Sequence, residues 1–325
     1  MLNYKKPNDI LKHGLSSPLE RRTRGEAFLS LRIMYYLVYG LLYAFSLLPL
    51  RVLYLFSDIA YFFFYPVFGY RKKVVLANLL QAFPEKTEKE RMDIAKKFYK
   101  NLFDMFLETI KMISTSDKFI AKRFTANWEL IRSLEATGKS VQVHLGHNFN
   151  WEWGTSILTN YTAFKFLAVY MPIRNKIFER LFYKLRTRNG AIFLKATSMR
   201  EEFLPYSNTH YLLGLIADQS PGYPANAWWF NFFNKPTPFL KGPAKGAILN
   251  DTAVVFGFIH KPRRGVYEAV FKLATNDPAS LTEQELTEKF VVYLEEWIRQ
   301  YPDMWLWSHR RWKWEWKPEY GEIIN

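Results

Sequence analysis

The chain of 325 residues carries 45 Lys and Arg against 30 Asp and Glu, a formal net charge of +15, with 28 Phe, 20 Tyr, 11 Trp and no Cys. The length suits one large domain or two modest ones, and the missing cysteine excludes disulfides, thiolate nucleophiles and cysteine-based zinc sites. So large a positive excess asks for an anionic partner: nucleic acid, an acidic membrane surface or an acidic protein.

Residues 1–31 are polar and basic and read as an arm or a surface helix. Residues 33–50, "IMYYLVYGLLYAFSLLPL", contain no charge. Eighteen helical residues rise about 27 Å, near the about 30 Å of a bilayer's hydrocarbon core. A second apolar run follows Arg51, broken only by Asp58. The run starts too far into the chain for a cleaved signal peptide, so 32–70 is expected to be a retained hydrophobic membrane anchor. Abundant Trp and Tyr suit a lipid boundary, because each ring has an apolar body and a polar edge. Basic flanks on both sides, "RRTR" at 21–24 and "RKK" at 71–73, leave a single pass, a hairpin and an interfacial helix open. Two buried core helices are the plainer alternative. The apolar region favours lipid over nucleic acid as the partner.

From 71 the pattern turns helical, with Thr87–Glu90 as a capping box. Ile94, Phe98, Leu102, Phe106, Ile110 and Ile113 recur as one apolar face, opposite Lys96, Lys97, Lys100 and Asp104. From 140 onward, strand-like runs at 140–145, 165–170, 211–218, 253–260 and 267–273 alternate with helical patterns at 174–188, 241–249 and 282–299. This alternation predicts an α/β fold, a mixed, largely parallel sheet flanked by helices, over a domain spanning 71–325. No glycine-rich phosphate loop is present, which argues against ATP and dinucleotide chemistry. Functional groups in such sheets gather at the carboxyl ends of strands. Three of these ends are polar here: "HLGHNFNWE", "ADQSPG" and "HKPRR".

His147 and Glu152 form an H-x4-E pattern. A histidine can take a proton from a hydroxyl, and a carboxylate on its far nitrogen fixes the tautomer and steadies the imidazolium. A rival reading joins His144, His147 and Glu152 as three metal ligands, as in a metal-dependent hydrolase.

Several ordered segments, "RKKVVLANLLQAFPEKTEKER" (71–91), "HNFNWE" (147–152), "NKIFERLFYKLRTRNG" (175–190), "LLGLIADQSPG" (212–222), "FFNKPTPFLKGPAKGAILNDTAVVFGF" (232–258) and "YPDMWLWSHRRWKW" (301–314), carry a resemblance. The chain resembles the lipid A biosynthesis acyltransferases, the late lauroyl- and myristoyl-transferring branch of the lysophospholipid acyltransferase superfamily. The resemblance implies a glycerolipid acyltransferase-like fold on the cytoplasmic face of the inner membrane. It also implies transfer of an acyl chain from acyl carrier protein to a hydroxyl of a lipid A precursor, with no cofactor.

In this reading His147 is the general base and Glu152 its orienting partner. His144 is structural and Asn150 shapes the loop. Arg186, with Arg188 as fallback, is assigned to phosphate or headgroup. Asp218 and Gln219 occupy the family's "DQ" position at a strand end and are assigned to substrate binding, Asp218 being expected to hold neighbouring loops or an arginine in place rather than to transfer protons. Arg310 and Arg311 suit an anionic headgroup, or share an interfacial rim with Trp305, Trp307, Trp312, Trp314 and Trp316. Relatives often read "YRP" where this chain has Met171, so Arg174 is expected to supply that charge, or the acceptor is another lipid, such as a lysophospholipid or an amino lipid. Acyl carrier protein and the anionic inner-membrane surface are the expected partners of the positive charge, rather than nucleic acid. A silent membrane-binding protein on the same fold is the remaining class.

Overall fold

The computed structural model describes residues 18–67 and 69–324, so most of the expected basic arm, 1–17, lies outside the described residues. The described residues open with four helices: α1 (Pro18–Ser46), α2 (Leu50–Val67), α3 (Lys72–Ala82) and α4 (Glu88–Lys111). The uncharged run does not form one straight helix. It breaks at 47–49, where Pro49 cannot continue an α-helical hydrogen-bond ladder. Segments Ser30–Ser46 and Leu50–Phe63 meet at 111°, and among the described residues no single helix is long and apolar enough to cross a membrane.

This hairpin is pinned by polar contacts. Lys111 Nζ donates to the carbonyls of Ser46 (2.8 Å) and Leu48 (2.9 Å), a cation closing a helix C-terminus. Ser57 donates to Asp104 at 2.8 Å, and Arg264 pairs with Asp58 at 2.9 Å. The opposite surface stays open: Leu37, Leu41, Leu55 and Phe62 are 63%, 72%, 59% and 70% exposed.

The capping box of α4 is present, with Thr87 N–H donating to Glu90 (2.7 Å) and Thr87 Oγ accepting from Glu90 N–H (3.3 Å). The expected stripe of α4 holds at Phe98 and Leu102, which are buried, and at Ile94 and Ile113, which pack against the core, with Lys96, Lys97 and Lys100 exposed opposite; two positions depart from it. Asp104 is buried and Phe106 is 52% exposed. The helix is covered by α2 and by the rest of the domain, and Asp104 is satisfied by Arg264, Lys261 and Ser57 rather than by water.

The remaining elements are α5 (Asp117–Ala121), β1 (Phe124–Ala126), α6 (Trp128–Glu135), β2 (Val141–Leu145), α7 (Trp151–Leu158), β3 (Lys165–Tyr170), α8 (Lys176–Thr187), β4 (Ile192–Lys195), α9 (Met199–Phe203), β5 (Tyr211–Ile216), β6 (Ala227–Phe232), β7 (Lys235–Leu240), α10 (Gly242–Leu249), β8 (Ala253–Arg263), β9 (Val266–Thr275), α11 (Glu283–Gln300) and β10 (Ile323–Ile324). The main sheet has seven strands in the order β1-β9-β8-β2-β5-β3-β4. Strands β8, β2, β5, β3 and β4 run parallel, and β9 turns back against β8. A smaller sheet holds β10, β6 and β7. The fold is therefore α/β, with helices flanking a mixed, mainly parallel sheet. Each of the five expected strands and three later helices is present, within a few residues of its expected ends.

Candidate active site

Strands β2 and β5 are paired in parallel with Leu145 opposite Ile216. One further bond, Ala217 N–H to Leu145 O at 2.9 Å, carries the ladder past the strand ends. His147 and Asp218 each stand two residues beyond a strand end, so the register itself brings them together. His147 Nδ1 lies 2.6 Å from Asp218 Oδ1, and the His147 backbone N–H donates to Asp218 Oδ2 at 2.8 Å. Gly146 permits this approach: a Cβ there would meet Leu294 Cδ1 at 2.8 Å and Asp218 Oδ2 at 3.3 Å.

The loop is fixed from the other side by the C-terminal segment. His147 O accepts from Leu306 N–H at 3.1 Å, and Phe149 N–H donates to Met304 O at 3.2 Å. Asn78 of α3 in turn donates to the carbonyls of Trp307 (2.8 Å) and His309 (2.7 Å). Trp305 donates its indole N–H to Asp218 Oδ2 at 2.6 Å. The Asp218 side chain is 2% exposed and that of His147 19%. Burial alone would raise the Asp218 carboxyl. The charge and hydrogen bonds of His147, with the Trp305 N–H, outweigh it and bring Asp218 down to about 2.

Asp218 is therefore an anion at neutral pH and accepts a hydrogen bond from His147 Nδ1–H, leaving Nε2 as the basic nitrogen. The Gln219 amide nitrogen sits 3.1 Å from Nε2 and supplies a weak donor to it. Trp151 stands edge-on to the imidazole at 5.6 Å between ring centres. An imidazole with one nitrogen held by a buried carboxylate and a side chain still 19% exposed can take a proton from a hydroxyl that replaces the Gln219 amide.

Glu152 is not the carboxylate that touches His147. His147 belongs to the loop before α7 and Glu152 to the first turn of that helix, so the five-residue offset is not a shared helical face. Glu152 turns instead to Arg186 of α8: Arg186 Nε donates to Oε2 at 3.0 Å, and an Nη donates to Oε1. The Trp151 indole adds a bond to Oε1 at 3.3 Å. Arg186 was expected to face a phosphate, but its charge is met inside the protein by Glu152. Its guanidinium also lies 5.6 Å from the Phe193 ring, and Phe193 is one wall of a cavity of about 860 Å³. Lys176, Arg180, Lys184, Lys195, Tyr170 and Tyr206 are among its other walls. Arg188, the fallback, binds the Met112 carbonyl and pairs with Asp117 at 3.2 Å.

His144 is buried and neutral, pushed down to about 3 by burial, with Nε2 3.1 Å from the Gln142 amide. With Nδ1 of His147 held by Asp218 and Glu152 held by Arg186, the three-ligand reading of 144, 147 and 152 has no geometry behind it. Among the described residues no group of three His, Asp or Glu side chains is placed to hold a metal ion. Asn150 caps α7, accepting from Trp153 N–H at 3.2 Å.

Arg310 and Arg174 are exposed, and Met171, three residues before Arg174, is 66% exposed. Arg311 is different: it is fully buried, with its guanidinium 4.2 Å from the Phe239 ring centre and burial lowering it to about 9. As placed, it is a cation stacked on aromatics, not a surface fork. Trp305 and Trp307, expected in an interfacial rim, are core residues. Of the three polar strand ends, "HLGHNFNWE" and "ADQSPG" meet at His147 and Asp218. "HKPRR" serves α4, through Lys261 to Asn101 and Arg264 to Asp104.

Residues 23–314 match the family described as bacterial lipid A biosynthesis acyltransferase. Among curated proteins none matches the sequence.

Proposed function

The chain belongs to the bacterial lipid A biosynthesis acyltransferase family, and we propose that it moves a fatty acyl chain from the thioester of acyl carrier protein to a hydroxyl of a lipid A precursor, with His147 as base and Asp218 as its partner. The observation that carries this reading is the 2.6 Å contact between His147 Nδ1 and Asp218, which leaves Nε2 free of its own proton.

The acceptor hydroxyl displaces the Gln219 amide from Nε2 and gives up its proton there as its oxygen attacks the thioester carbonyl. The tetrahedral oxyanion collapses, the carbon–sulfur bond breaks, and the departing thiolate takes the proton back from Nε2. An ester and a free thiol result. The displaced Gln219 N–H and the guanidinium of Arg186, held in place by Glu152, are preorganised donors for the negative charge that develops. Glu152 thus acts through Arg186 rather than through His147.

In this reading the hairpin of α1 and α2 lies in the cytoplasmic interface of the inner membrane with its exposed apolar residues in lipid, supported by the exposure of Leu37, Leu41, Leu55 and Phe62. The net charge of +15 favours an acidic carrier and an anionic membrane surface. Met171, exposed where relatives carry arginine, favours a lysophospholipid or amino lipid as the second choice of acceptor.

Purified protein in detergent, incubated with acyl carrier thioesters and a panel of lipid acceptors, tests the reading by product mass. One acyl increment on the lipid A precursor supports it, and its absence with every acceptor refutes it.

A further inference from the structure

Glu108 of α4 is fully buried, and no step above uses it. Its Oε1 accepts from the Tyr54 hydroxyl of α2 at 2.6 Å. Its Oε2 accepts from the Tyr267 hydroxyl of β9 at 2.6 Å and from the Asn150 amide at 2.9 Å. Its backbone carbonyl accepts from the Trp153 indole at 3.1 Å.

These donors come from separate parts of the molecule. Tyr54 belongs to the apolar hairpin. It passes beside the β8–β9 turn, where a Cβ on Gly265 would stand 2.3 Å from its hydroxyl. Asn150 belongs to the catalytic loop: one end of its amide caps α7, one residue from Trp151 and two from Glu152, while the other end grips Glu108. Asn150 is itself fully buried, so water does not replace a lost partner. A buried carboxyl with three neutral donors and, among the described residues, no cation paired with it is an expensive device. Burial pushes Glu108 up to about 7, against the hydrogen bonds of Tyr267, Tyr54 and Asn150, and Asp104 one turn away pushes it further up. The nearby cation Arg264 is spent on Asp104 and Asp58.

We propose that Glu108 is a positioning residue for acyl transfer, joining the seat of the apolar hairpin through Tyr54 to the cap of α7 through Asn150. Seating of α2 then holds residues 147–152 in their working shape, and loosening of α2 is felt at the base and at the Glu152–Arg186 pair. The inference rests on the acyl-transfer reading only for its kinetic arm.

The test uses the full chain in detergent with the variants Tyr54→Phe, Glu108→Gln and Tyr54→Phe/Glu108→Gln. Hydrogen exchange is read on peptides covering 146–156, and kcat and KM are read in the transfer assay. Expected are faster exchange in 146–156 and a kcat lowered about tenfold or more in each single variant, since small misplacements of reacting groups are costly. KM stays within about twofold, and the double variant is no worse than the worse single one, because both changes cut one connection. Tyr54→Phe keeps the ring and its packing, so it remains informative where Glu108→Gln folds poorly. Wild-type exchange in 146–156 for Tyr54→Phe, or losses that simply multiply in the double variant, overturns the proposal. The exchange arm decides it even where no transfer is seen, which separates its failure from failure of the acyl-transfer reading.

Discussion

Asp218 and His147 hold each other twice, side chain to side chain at 2.6 Å and carboxylate to backbone N–H at 2.8 Å. The second bond fixes the loop on which the imidazole stands, so the carboxylate sets both tautomer and position. Asp218→Asn keeps the volume but offers an amide where an anion is needed. By analogy with the loss of the aspartate charge in a hydrolase triad, kcat falls by about 10³- to 10⁴-fold while the protein stays folded. Single-turnover transfer by the purified variant measures this, and activity within tenfold of wild type contradicts it.

Glu152 and Arg186 predict a different signature. Their side chains are 5% and 17% exposed, so removing one partner strands the other in a poorly solvated place. Glu152→Gln lowers unfolding free energy by about 3 kcal/mol, within the range for breaking a buried pair. Glu152→Gln/Arg186→Met recovers part of that stability while remaining slow in transfer. Denaturant titration of the three proteins checks this. A double variant less stable than Glu152→Gln shows that the two side chains do not act as a pair.

Glu108 ties stability to pH with a definite sign. Its folded value of about 7 stands above its ordinary 4.5. The folded state therefore holds the proton more tightly, and this contribution is full below about 4.5, declines as pH rises through 7 and is lost above it. Unit shifts of about 1.4 kcal/mol put the swing near 3 kcal/mol. Glu108→Gln lacks it, so its stability relative to wild type rises between pH 5 and pH 8. A variant at least as stable as wild type at pH 8 yet slower in transfer separates positioning from mere structural support. Parallel stability curves for the two proteins rule out this titration.

The exposed face of the hairpin carries the membrane prediction. Leu41 and Phe62 are 72% and 70% exposed. Replacing both with Ser weakens binding to anionic vesicles by about 2–4 kcal/mol in total, from the lost burial of apolar side chains in lipid. Vesicle co-sedimentation reads the effect, and unchanged partition places the lipid contact elsewhere.

Much of the scaffold was legible because its signals are local. The Thr87–Glu90 capping box, the apolar runs of β2, β3, β5, β8 and β9, and the helical stripes of α8 and α11 each announce themselves within a dozen residues. The short strands β1, β4 and β10 lack a periodic run of useful length. Strands β6 and β7 hide among aromatics and prolines such as Trp229, Pro236 and Pro238.

Pairing at the site was not local. His147 and Asp218 are 71 residues apart, and only the β2–β5 register joins them. The signal was there in part: two adjacent parallel strands, each followed two residues later by a polar side chain. A nearby acid at a familiar spacing, Glu152, drew the assignment instead. Trp305 carries no sequence signal for its bond to Asp218, since an indole in an aromatic segment reads as interfacial rim, and nothing in the α4 pattern singles out Glu108.

The most direct measurement of the central claim is the mass of a lipid A precursor after one incubation with acyl carrier thioester and either the wild-type chain or His147→Ala. The account predicts one added acyl chain with wild type and none above background with the variant. Equal product from both contradicts it.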